Sequence, residues 1–290
     1  MRVAPDREPA QRDVRLDDGR TVRAYDAGAG AGAGADVAFT IVWHHGSPQT
    51  GALLDPVRAA AAERGIRLLS YARPGYGGST ERPGRDVASA ATDVAAIADA
   101  FGAGRFAVMG ASGGGPHALA CAALLGDRVT GAVAVAGLAP YTEDFEWFAG
   151  MRDPGGLRAA RDGRAARARF AETDEFDPES FTAADWAALS GTWTSLGSDA
   201  MAAGEAGPGG LIDDDVAFAA PWGFDVAQAA APVLLVQGGE DRVVPPAHAE
   251  WVARHVPRVE VWLRPRDGHV SALDAVPVAM DWLRAHRDDA

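Results

Sequence analysis

The chain alternates short, mostly apolar runs with Ala-rich stretches of helical length, and this alternation restricts its fold more than any other feature. Ala38 to Trp43, Ile66 to Ser70, Arg105 to Met109, Val129 to Ala136, Val233 to Val236 and Val259 to Leu263 read as strands. Ala52 to Arg64, Val87 to Phe101, Gly114 to Leu125, Pro246 to His255 and Val276 to Arg287 read as helices. A run such as Ala38–Trp43 is nearly continuously apolar rather than alternating, as strands covered on both faces are. The pattern predicts an α/β fold, a mostly parallel sheet with helices on both faces. With 290 residues, 48% of them hydrophobic, the chain can bury such a core in one large domain.

Two segments depart from the alternation. Near the start, Asp17-Asp18-Gly19-Arg20 separates Asp13–Leu16 from Thr21–Tyr25, a hairpin signal, and Gly28–Ala35 reads as a low-complexity, flexible connector. From Pro140 to about Trp222, aromatic, Arg and acidic residues recur at helical spacing, broken by Pro and Gly and without a strand pattern. The expected organisation is a core domain of residues 1–139 and 223–290, with a helical insertion over 140–222.

Composition removes several kinds of chemistry. All 27 basic residues are arginine, so Schiff-base formation, Ser-Lys dyads and a P-loop lysine are excluded. A net charge of −13 argues against nucleic acid and against an anionic membrane surface. The single cysteine, Cys121, lies in the apolar stretch Ala118–Leu124 and reads as a buried structural thiol. Neither a signal-like leader nor a run of membrane-spanning length is visible. A cytoplasmic protein acting on a small molecule is expected, with no metal or cofactor; its oligomeric state is not readable.

The chemistry-bearing pattern is Val108-Met109-Gly110-Ala111-Ser112-Gly113-Gly114-Gly115, an apolar strand that ends in G-x-S-x-G and runs into a helix. In that setting the serine sits on a sharp elbow, and its small neighbours permit the turn. A serine hydroxyl needs a positioned base. Asp241 follows the strand Val233–Val236 and His269 follows Val259–Leu263, both on the sheet edge where ligands bind in open α/β folds. The chain order Ser112, Asp241, His269 matches one known triad order. Ser112 would be the nucleophile, His269 the base and Asp241 its orienting carboxylate; Asp267 reads as serving the turn before His269. Gly46 ends the apolar strand and turns the next amide inward, so the backbone N–H groups of Ser47 and Gly113 are the expected oxyanion donors. His44, His45 and His117 read as structural supports.

On the motifs His45-Gly46-Ser47-Pro48, Arg73-Pro74-Gly75-Tyr76-Gly77-Gly78-Ser79, Gly110-Ala111-Ser112-Gly113-Gly114, Gly239-Glu240-Asp241 and Gly268-His269, the chain resembles the α/β-hydrolase superfamily over nearly its whole length. The resemblance implies an eight-stranded sheet and a helical cap after the sixth strand. It also implies a substrate pocket between cap and nucleophile. Phe145, Trp147, Phe148, Trp186 and Trp193 are candidates to line that pocket.

Superfamily membership does not fix the reaction. A serine hydrolase for esters, lactones or thioesters of a small to medium apolar molecule is the first expectation. An iminopeptidase-like enzyme would hold a substrate amine with cap acids such as Glu143, Asp144, Glu146, Glu172, Asp174 and Glu175. A cofactor-free perhydrolase would share the triad, and a non-catalytic member would bind a small molecule in the same pocket. Epoxide hydrolases and haloalkane dehalogenases carry Asp at the elbow where this chain has Ser112. Those epoxide hydrolases also use cap tyrosines, and Tyr141 is the only tyrosine near the cap.

Overall fold

The structure is a computed structural model and describes residues 8–28 and 39–288. The Gly-Ala connector beyond Gly28, residue 38 and the first seven residues of the chain lie outside the described residues. Eight strands form one sheet: β1 (Ala10–Arg15), β2 (Thr21–Asp26), β3 (Thr40–His44), β4 (Arg67–Tyr71), β5 (Phe106–Ala111), β6 (Val129–Val135), β7 (Val233–Gly238) and β8 (Val259–Arg264). Their spatial order is β1-β2-β4-β3-β5-β6-β7-β8. The β1–β2 and β2–β4 pairs are antiparallel and the others parallel. The Asp-Gly turn closes the hairpin, with Gly19 at φ +85° and Leu16 N donating to Arg20 O at 2.9 Å.

Period-two packing explains the mostly apolar runs. In β5, Phe106 and Val108 join the core cluster on one side of the sheet, while Ala107, Met109 and Ala111 join the other. The first side is covered by α2 (Ser89–Ala100), α3 (Gly114–Leu124) and α9 (Pro246–His255), through Val94, Ile97, Leu119 and Val252. The second is covered by α1 (Asp55–Glu63) and α10 (Val276–Ala285), through Val57, Ala61, Met280 and Leu283. α3 is buried from Gly114 to Ala122. Its small side chains bring its backbone close to β5 and β6, and burial raises the Cys121 thiol pKa far above its ordinary value.

Between β6 and β7 the chain forms α4 (Gly155–Arg161), α5 (Arg164–Ala171), α6 (Ala183–Ser190), α7 (Thr194–Glu205) and α8 (Gly209–Ala219). The order in which successive strands are added reverses at β3, which has β4 on one side and β5 on the other, all three parallel. This switch point opens the sheet at the carboxyl ends of β3 and β5, where His45–Ser47 and Ser112 lie.

Candidate active site

Ser112 stands at the end of β5 with φ +52°, a left-handed conformation for a residue that carries a Cβ. Its amide donates to Val135 O of β6 at 2.8 Å, and its carbonyl accepts from Gly115 N at 2.9 Å, pinning the β5–α3 elbow. Gly110 and Gly114 permit the turn. A Cβ on Gly110 would collide with the Gly114 carbonyl, and one on Gly114 would collide with the His44 carbonyl.

His269 is buried in the loop after β8, and its Nδ1 meets Asp241 Oδ2 at 2.8 Å. Asp241 Oδ1 accepts from Val243 N at 2.9 Å and Val244 N at 2.8 Å, while Gln237 Nε2 reaches Oδ2 at 3.3 Å. Burial works against a charged imidazole, but the charge and hydrogen bond of Asp241, with the charge of Asp185, outweigh it and raise the His269 pKa above its ordinary value. With Nδ1 donating to a carboxylate, Nε2 is left as the proton acceptor. The structure thus brings Asp241 and His269 together. The Ser112 hydroxyl makes no hydrogen bond to the imidazole among the described residues, and such contacts are often long before substrate binds. Asp267 pairs with Arg264 in the turn before His269.

The loop after β3 packs directly on the elbow, since a Cβ on Gly113 would collide with Ser47 Oγ. Arg73 holds this loop: its guanidinium donates to the His45 carbonyl, to Gly46 O at 2.9 Å and to Ser47 Oγ at 2.8 Å. Ser47 Oγ in turn donates to Asp214 Oδ2 at 2.5 Å. Asp214, on α8, also receives Tyr76 Oη at 2.9 Å and pairs with Arg73 and Arg85 at 2.7 Å each. Burial opposes its charge, but the two guanidinium groups hold its carboxyl well below the usual range. A second carboxylate of the helical segment, Asp199 on α7, accepts from the amide of Thr50 at 3.1 Å and from its hydroxyl.

The three other histidines near the elbow make structural contacts. His44 Nδ1 meets Tyr71 Oη at 3.2 Å, and His45 Nε2 accepts from Arg73 N at 3.1 Å. His117 Nδ1 meets Gly113 O at 2.7 Å, and burial pushes the His117 pKa down to about 3.

The five candidate aromatic residues are separated. Phe145, Trp147 and Phe148 line a cavity of about 290 Å³ with Tyr141 and Arg158, and none of Ser112, Asp241 and His269 contributes to its lining. Trp193 is buried in the core against Asp274, its Nε1 donating at 2.8 Å. Trp186 is 42% exposed and packs on Phe176 and Phe181. The acids considered for amine binding, Glu143, Asp144, Glu146, Glu172, Asp174 and Glu175, are exposed. The buried carboxylates of the segment are instead Asp185, Asp213, Asp214 and Asp215. The signal for the last three is Asp213-Asp214-Asp215 inside an apolar helix, because buried charges need partners. In a chain without lysine, those partners are arginines: Arg164 meets Asp213 and Arg167 meets Asp215, each at 2.6 Å.

A family model of the α/β hydrolase fold matches residues 40–276. The chain belongs to that family. Among solved structures, a thermophilic esterase from Thermogutta terrifontis is similar at 20% identity and TM-score 0.71, covering 97% of this chain and 100% of that one. An enol-lactonase from Burkholderia xenovorans LB400 is similar at 19% identity and TM-score 0.69, covering 94% and 100%. A bromoperoxidase from Bacillus anthracis is similar at 21% identity and TM-score 0.70, covering 95% and 98%. At these identities the likeness is one of fold. Among curated proteins, no sequence matches the chain.

Proposed function

We propose that the chain is a serine hydrolase that cleaves carboxylic esters, lactones or thioesters of a small to medium apolar molecule through an acyl-enzyme. The observation that carries this reading is the buried His269–Asp241 pair, 2.8 Å apart, on the sheet edge that also presents Ser112 in a left-handed elbow. Ser112 Oγ attacks the acyl carbon while His269 Nε2 takes its proton. The tetrahedral oxyanion is held by the backbone N–H groups of Ser47 and Gly113, at a loop clamped by Arg73 and Asp214. As the intermediate collapses, the imidazolium gives its proton to the leaving alkoxide. Water, deprotonated by the same nitrogen, then releases the acid and restores Ser112.

Residues 140–222 act as a cap over this site in the same reading, and the substrate is a small molecule. No helix among the described residues is long and apolar enough to cross a membrane, and we place the enzyme in the cytoplasm. The arginine pairing of Asp213, Asp214 and Asp215 leaves these buried acids committed, which disfavours recognition of a substrate amine. The test is turnover of a nitrophenyl ester chain-length series beside prolyl amides, for wild type and Ser112→Ala. Ester hydrolysis lost in the variant is expected. Preference for free-amine prolyl amides would replace the esterase reading.

A further inference from the structure

Asp185 is a fully buried carboxylate on α6, and it touches the loop that carries His269. The start of α6 is a capping box: Thr182 Oγ1 accepts from Asp185 N at 3.2 Å, and Asp185 Oδ2 accepts from Thr182 N at 2.9 Å. At an exposed helix start such a carboxylate faces water. Here it faces three successive amides of another element, 84 to 86 residues away in sequence. Oδ2 accepts from His269 N at 3.2 Å, and Oδ1 accepts from Val270 N, Ser271 N and Ser271 Oγ at 2.8 Å each. Ser271 Oγ also accepts from Gly268 N at 2.8 Å, so both sides of the catalytic histidine are tied. Gly268 leaves the space for this approach, because a Cβ there would collide with the Asp185 carboxylate.

A buried carboxylate is costly unless its charge is met. This one is met by hydrogen-bond donors. Burial opposes its ionisation, but the donors from Ser271 and Thr182 win and hold its pKa below the ordinary value. The charge is therefore present at neutral pH, beside the backbone of the general base.

We propose that Asp185 is a positioning residue for His269: a carboxylate from the helical segment between β6 and β7 that fixes the His269–Ser271 backbone and so orients the imidazole. The inference rests on the reading of His269 as the catalytic base. The charges that bear on the imidazole are Asp241, through Nδ1, and Asp185, through the loop backbone, and both favour its protonated form. The link makes the helical segment part of the catalytic apparatus, since moving α6 would release the loop that holds the base.

The test uses Asp185→Asn, which keeps shape and removes charge, with three readouts. Amide exchange at Val270 and Ser271 is expected to accelerate more than ten-fold. The His269 ring titration, assigned in NMR spectra by its absence in His269→Gln, is expected to move to lower pH. Turnover of a nitrophenyl ester is expected to fall by about a hundred-fold in kcat with KM within two-fold, and its acid limb should follow the ring titration. An Asp185→Asn enzyme with an unmoved ring titration and wild-type kcat would overturn the proposal, whatever its Tm. Should that variant fail to fold, Ser271→Ala removes one donor to the carboxylate and must still lower kcat. If wild type turns over no ester, the catalytic reading fails, while the exchange and ring-titration measurements still decide whether Asp185 sets the state of His269.

Discussion

Ser47 and Asp214, 167 residues apart in sequence, are joined by a 2.5 Å hydrogen bond from the Ser47 hydroxyl to the Asp214 carboxylate. The contact ties the loop after β3 to the last helix before β7. It stands at the centre of a buried group with Arg73, Arg85 and Tyr76, so removing the carboxylate would leave two guanidinium groups without their counter-charge.

Asp214→Ala is therefore expected to lower unfolding stability by about 3–5 kcal/mol, the range for breaking one side of a buried ion pair. Urea denaturation measures it. The Asp144→Ala variant, at an exposed position, should stay within about 0.5 kcal/mol of wild type.

Asp241→Asn should drop kcat by about ten-thousand-fold, the scale for losing the carboxylate that fixes the imidazole tautomer. Asp241 raises the His269 pKa above 6.5, and the base must be neutral to act. Wild-type activity should thus climb with pH through a midpoint above 6.5. The residual activity of the variant should climb through a lower one. A pH–rate profile of both proteins checks the direction.

Stability should fall as the solution is acidified from pH 6.5. His117 stays neutral in the fold down to about pH 3 and His248 to about pH 4, whereas both take up a proton near pH 6.5 once unfolded. The unfolded chain therefore binds more protons across that window, and stability rises with pH through it. Thermal melts of wild type and His117→Gln should show the variant with the shallower acid dependence. His269 acts in the opposite sense: its raised pKa contributes stability below pH 6.5 that is lost as pH climbs through the folded value.

Gly114→Ala should fold poorly or lose most of its stability, because the added methyl meets the backbone carbonyl of His44, which cannot rotate away as a side chain could. Gly65→Ala offers the contrast. No atom crowds that position, and its cost is limited to the strain of φ +61°. Soluble yield and Tm of the two variants measure the difference.

Much of this was legible in the sequence because β3, β5, β6 and β7 are covered on both faces and so carry mostly apolar runs. Ser112, Asp241 and His269 follow strands, so strand ends sufficed to place them on one edge. The fate of Trp193 and Trp186 was not legible. One aromatic residue packs into a core and another lies half-exposed at the same helical spacing, and only the tertiary neighbours decide which. Asp185 was hidden for a related reason. Its sequence setting, Thr182-Ala183-Ala184-Asp185, states a capping box, but its contact with His269–Ser271 depends on where α6 lands.

The proposed reaction starts from an activated Ser112 hydroxyl. Mass spectrometry of the intact protein after treatment with a fluorophosphonate tests it most directly. A single phosphonyl adduct on wild type, mapped to the peptide that contains Ser112 and absent from Ser112→Ala, is the predicted result. No adduct on wild type, or equal labelling of both proteins, would contradict it.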